Sequence, residues 1–149
     1  MKHRLLIANR DAELCDLYRR FLTELGYEVE TATDGLDCLA KLRLAAPAVL
    51  VLDQELLWGG GDGVLAWLRE ESPAPKIPVL LMAAAAAGLD RGVFKESPVV
   101  DYLPQSVALT PLLDSVRSAV ASRERREEAV KGRSRFSLFR ASHFLADQK

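Results

Sequence analysis

Apolar and polar positions fall in blocks along the chain. Leu5 to Ala8 is a continuous apolar run between polar ends, as in a strand buried on both faces. Leu14, Leu17, Tyr18, Phe21, Leu22 and Leu25 then follow helical spacing, and Gly26 closes that helix. Tyr27 to Ala32 reads as a short second strand. Asp34 is placed to N-cap a helix carrying Leu36, Leu39 and Leu42, which Pro47 breaks. Val49-Leu50-Val51-Leu52 is a third strand running straight into Asp53. After a loop from Gln54 to Gly61, Asp62 is placed to cap a helix through about Glu70, with Val64, Leu65 and Leu68 inward and Pro73 and Pro75 beyond its end. Ile77 to Met82 is a fourth strand. The alanine run Ala83 to Ala87 leads to a weak helix around Leu89 to Lys95, where Gly88 and Gly92 argue against regularity. Val99 to Leu103 is a fifth strand. Leu109, Leu112, Leu113, Val116 and Val120 mark a final amphipathic helix extending towards Lys131.

Strict alternation of strand and helix predicts an α/β fold: a parallel sheet covered on both faces, joined by right-handed crossovers. A chain of 149 residues suffices for one such domain. Charge is uneven. Residues 123–149 hold eight Lys/Arg against four Asp/Glu, whereas residues 1–122 carry a net charge of −5. The expected division is therefore a domain at 3–122 and a charged helical extension with a basic, aromatic tail at 123–149. Cys15 and Cys38 fall on predicted helices and no secretion signal precedes them, so both read as structural thiols of a cytoplasmic protein. No stretch approaches the apolar length of a membrane span.

In open parallel sheets, ligands bind outside the carboxyl ends of the strands. The residues there are Asn9, Arg10 and Asp11 after the first strand, Asp53 after the third, Ala83 after the fourth, and Pro104, Gln105 and Ser106 after the fifth. Other motifs carry less. Gly61-Asp62-Gly63-Val64-Leu65-Ala66 fits a dinucleotide-type glycine pattern, but Met82 to Ala87 lacks the acid such a site wants, so turn glycines are the simpler reading. His3 and His143 lie at opposite ends, which disfavours zinc. The tail from Gly132 to Arg140 mixes bases with Phe136 and Phe139. It reads either as a flexible tail or as a docking segment for a protein or an anionic surface. It is too short for a helix-turn-helix effector, so DNA recognition is not inferred, and nucleic-acid binding through the basic tail is the least favoured of the functional readings.

Several segments together resemble the receiver domain of bacterial two-component response regulators. These are Leu5-Leu6-Ile7-Ala8-Asn9-Arg10-Asp11, the run from Glu24 to Gly35, Val49 to Asp53 with the later Gly61-Asp62-Gly63, Ile77 to Met82, and Asp101-Tyr102-Leu103. The resemblance spans residues 3 to about 122. It implies a flavodoxin-like (βα)5 three-layer sandwich with a five-stranded sheet of order 2-1-3-4-5. It also implies phosphorylation of Asp53 by a histidine kinase in a phosphorelay, with Mg2+ held by two acids of the first strand and the acceptor. A Ser/Thr after the fourth strand and a Lys after the fifth would grip the phosphoryl oxygens. Such convergent positive charge is what attack by a carboxylate on an anionic phosphorus needs.

The sequence departs from that pattern. Asn9 brings no charge, and Arg10 has no acceptor atom and cannot be a ligand. Ala83 offers no hydroxyl, Gln105 stands where Lys is usual, and Asp11 lies one place beyond the acidic pair. The loop after Asp53 is two residues longer than is usual, with Trp58-Gly59-Gly60 where Met/Leu-Pro-Gly is common. The expectation is thus an atypical, stand-alone receiver with Asp53 as phosphoacceptor candidate, lined by Asn9, Arg10, Asp11, Ala83, Tyr102 and Gln105. No metal or cofactor is expected; should one bind, Asp53, Asn9 and Asp11 are its ligands. The alternative is a working phosphoacceptor that uses Mg2+. Arg10 either bridges Asp53 or points to solvent. Tyr102 serves packing or contact rather than motion. The expected partners are a histidine kinase or a downstream effector, met through the face of the fourth helix, fifth strand and fifth helix, with a homodimer among the expected assemblies.

Overall fold

A computed structural model describes residues 2–71, 77–84 and 98–146. Its elements follow the predicted order: β1 (Arg4–Ala8), α1 (Ala12–Glu24), β2 (Glu28–Ala32), α2 (Gly35–Leu44), β3 (Val49–Asp53), α3 (Gly60–Glu71), β4 (Val79–Ala83), β5 (Val99–Pro104) and a C-terminal helix (Leu109–Ala146). All pairings are parallel and the sheet order is β2-β1-β3-β4-β5, the flavodoxin-like arrangement. The helix expected around Leu89 to Lys95 lies outside the described residues.

Alternation along the strands sorts the core into two layers, because successive side chains leave a strand on opposite faces. Leu5, Ile7, Val49, Val51, Leu80 and Met82 pack beneath α1 and the C-terminal helix. Leu6, Ala8, Leu50, Leu52 and Leu81 pack beneath α2 and α3. Cys15 belongs to the first layer and Cys38 to the second, so the sheet separates the two thiols. Burial pushes the Cys38 thiol up to about 12 and also raises that of Cys15, which leaves both protonated and unreactive.

Two details differ from the sequence expectation. Asp62 does not cap α3; it lies inside the first turn, and Gly63 N–H bonds to the Gly59 carbonyl, so the helix starts earlier. The C-terminal helix runs through Gly132 to Ala146 rather than stopping near Lys131. Gly132 and the serines after it weaken a helix locally, but the residues before it, Arg123 to Lys131, are mostly Arg, Glu, Ala and Lys, which favour one. Arg123 also pairs with Glu127 at i,i+4, with Nε–Oε1 3.2 Å.

Tyr18 ties α1 to the loop before that helix. It is fully buried, and its hydroxyl donates to the Val107 carbonyl at 2.6 Å. Tyr18→Phe leaves this carbonyl without its partner and should cost about 1–2 kcal/mol in urea unfolding. Burial also holds the Tyr18 hydroxyl up at about 12, against an ordinary 10.0. The folded protein then keeps a proton that the unfolded chain releases, so this contribution is whole below pH 10 and is lost as pH rises towards 12. The slope is about 1.4 kcal/mol per pH unit. An alkaline stability series should show that slope in the wild type and a shallower one in Tyr18→Phe.

Candidate functional site

The site is set by strand register. Ala8 pairs with Leu52 and Asp53 with Met82, so the residues just past β1 stand level with the end of β3. Asp53 is the last residue of β3 and is wholly buried. A carboxylate there needs donors, since an uncompensated buried charge is costly. It has them on both oxygens. Its Oδ1 accepts from the Glu55 backbone N–H at 3.0 Å and from Gln105 Nε2 at 2.8 Å. Its Oδ2 accepts from the Arg10 backbone N–H at 3.2 Å and lies 3.7 Å from Arg10 Nε.

Arg10 therefore bridges Asp53. Its guanidinium also donates from Nη1 to Glu55 Oε2 at 2.5 Å, so one cation is shared by two carboxylates. The Glu55 hydrogen bond, and then the Asp53 charge, raise the Arg10 pKa above its already high value, and the group stays cationic at every working pH. Its side chain is 42 % exposed, so the bridge closes the mouth of the site from the solvent side.

The remaining expected residues do not join this cluster as ligands. Asn9 is buried with its amide turned into the fold: Nδ2 donates to Met82 Sδ at 3.5 Å, and Oδ1 accepts the Asp11 N–H at 2.9 Å. Asp11 is the N-cap of α1, its Oδ1 accepting from the Glu13 and Leu14 N–H groups at 3.0 and 3.2 Å. Asn9, Asp11 and Asp53 are thus each committed elsewhere and do not converge as a cation's oxygen shell. Among the described residues, no three His, Cys, Asp or Glu side chains gather as metal ligands. The residues do not fit a magnesium ion unless Arg10 first leaves. Ala83 closes β4, buried and without a donor, and Tyr102 sits on β5, 39 % exposed.

Sequence reasoning missed Glu55. The register was the available signal: a residue just past β1 faces the loop just past β3, and Glu55 is that loop's acid.

The fold and the charge-compensated aspartate at the carboxyl edge define a class, and comparison with known proteins agrees with it. The family described as response regulator receiver domain matches residues 5–117, and the chain belongs to that family. Response regulator MprA of Mycobacterium bovis is 31% identical over 138 residues, which is 92% of this chain and 59% of the relative. MprA of Mycobacterium tuberculosis is 30% identical over the same length and shares. The chain spans about 59% of the length of these curated relatives. Among solved structures, chemotaxis response regulator CheY4 of Vibrio cholerae superposes with a TM-score of 0.73 at 22% identity, covering 80% of this chain and 99% of that one. A CheY-like receiver domain from Methylobacillus flagellatus gives 0.70 at 15% identity, with the same shares. These two likenesses bear on fold alone. Among the described residues, no helix is long and apolar enough to cross a membrane.

The sign of one substitution reports on this site. Where several acids crowd together, neutralising one relieves repulsion. Here Asp53→Asn sets an amide NH2 beside the Glu55 or Arg10 N–H groups, which can only donate, and removes the charge that Arg10 compensates. It should destabilise by about 1.5–3 kcal/mol in urea unfolding. Stabilisation instead would mean that Arg10 does not govern the site.

Proposed function

We propose that this receiver domain signals by protein–protein contact, with slow or absent metal-dependent phosphorylation of Asp53. The observation that carries this reading is the Arg10 guanidinium on Asp53 Oδ2. It supplies in covalent form the positive charge that a bound cation would bring, and it occupies the side from which one would approach. Ala83 adds no hydroxyl, and Gln105 offers hydrogen bonds without charge. Loss of one electrostatic stabiliser typically lowers a rate by ~100–1,000-fold, and several are missing here. The partners are signalling proteins, a histidine kinase or an effector, that read the domain's surface in the state the bridge holds.

The test is direct. The chain is incubated with magnesium and a small phosphodonor such as acetyl phosphate, and its intact mass is followed over time. The expected result is no phosphoryl gain in the wild type, together with a gain in the Arg10→Asp, Ala83→Thr, Gln105→Lys variant that disappears when Asp53→Asn is added. A wild-type gain abolished by Asp53→Asn would sink the proposal and make the chain a working phosphoacceptor. Thermal unfolding supplies a check independent of chemistry, because an ion that binds the folded state raises Tm. Millimolar magnesium should leave the wild-type Tm unchanged.

A further inference from the structure

The loop after Asp53 presents an apolar surface that the site does not use. Leu36, Leu57 and Trp58 are 67%, 57% and 73% exposed. Leu36 and Trp58, with Leu39 and Val64, line a shallow groove of about 320 Å3 between the first turns of α2 and α3. The backbone holds this surface in place at a cost. Trp58 has φ +56°, a left-handed value that bulky side chains rarely adopt, and Gly59 and Gly60 follow at +100° and +67°. The loop is clipped to α2: Gly35 N–H donates to the Leu57 carbonyl at 2.7 Å, and Asp34 and Leu57 form a β-bridge. A Cβ on Gly35 would lie 2.1 Å from the Trp58 carbonyl oxygen, so only glycine permits the approach. A strained, exposed indole fixed at both sides is built for contact.

The flanking charge is acidic. Asp62 is exposed in the first turn of α3 and Asp34 caps α2, while Glu55 on the same loop is spent on Arg10. The cations of neighbouring elements, Arg10 and Lys41, are already held by carboxylates. Such a surface suits a basic, aromatic segment, and the chain has one. Residues 133–145 include Arg133, Arg135 and Arg140 with Phe136, Phe139 and Phe144, and no acid.

That segment is carried away from its own groove. The C-terminal helix starts beyond the carboxyl end of β5 and passes the opposite edge of the sheet at Arg123, which donates to the Pro47 carbonyl at 3.1 Å, and at Glu124, 3.1 Å from His3. From there it continues to Ala146, about 30 Å further at 1.5 Å per residue. We propose that the groove lined by Leu36, Leu39 and Trp58 docks the basic, aromatic segment 133–145 of a second copy of this chain. The inference does not depend on whether Asp53 accepts a phosphoryl group.

Sedimentation of the full chain over a concentration and salt series tests this. Wild type should self-associate, more weakly as salt rises. Trp58→Gly removes the indole and suits the left-handed backbone, so the fold stays intact by circular dichroism. It should weaken association at least tenfold, as for an aromatic anchor. A tail variant with Arg133→Glu, Arg135→Glu and Arg140→Glu should behave likewise. Mixing the two variants leaves one intact groove facing one intact tail, and association should return in part. A wild type that stays monomeric at its highest soluble concentration overturns the proposal. So does association that survives Trp58→Gly, which would instead join tail to tail, and so does a mixture that fails to recover.

Discussion

One constraint organises the functional edge of this domain: Asp53 is buried at the end of a central strand and must be electrically compensated there. A carboxylate in that position is stable only if charge and donors converge on it. In this chain the convergence comes from the protein itself. Arg10 supplies the cation, and two backbone N–H groups and the Gln105 amide supply the remaining bonds. Every one of these groups is fixed by the sheet, because the register of β1, β3 and β5 sets the loops side by side. The compensation is therefore carried by the chain itself, whereas that of a bound ion comes and goes with the ion.

The same bonds join the ends of separate strands. Gln105 lies just past β5, so its bond to Asp53 Oδ1 ties the end of β3 to the strand that carries Tyr102. Here both Asp53 oxygens already accept hydrogen bonds, and the β4 end contributes only Ala83, with no hydroxyl.

How much of this the sequence discloses follows from which interactions are local. Strand and helix order was legible because each element carries its own periodicity: the apolar runs Leu5–Ala8 and Val49–Leu52, and the 3.6-residue stripe from Leu109 to Val120. The Arg10–Asp53 pairing was legible as a geometric consequence of neighbouring strands in the inferred order. Glu55 was not, because its role depends on how the loop turns back after β3. Asn9 and Asp11 look like ligands by position, but local backbone geometry claims both, one to hold a turn and the other to cap α1. The length of the C-terminal helix was underestimated because Gly132 looks like a stop, while the charged turns around it carry the helix past that point.

The same loop joins the acceptor site to the exposed apolar surface. Between Asp53 and α3 the chain must return from the sheet edge to the helix layer, and on the way it fastens to α2 at Gly35. Glu55, at the near end, turns inward to share Arg10, while Trp58, at the far end, turns outward under backbone strain. A loop serving only a metal would spend its acids on the ion and keep its apolar residues covered. This one spends its acid on an arginine and exposes its indole. The departures from the receiver pattern are spread over the carboxyl edge of the sheet: Asn9 and Arg10 past β1, the loop past β3, Ala83 at the end of β4 and Gln105 past β5.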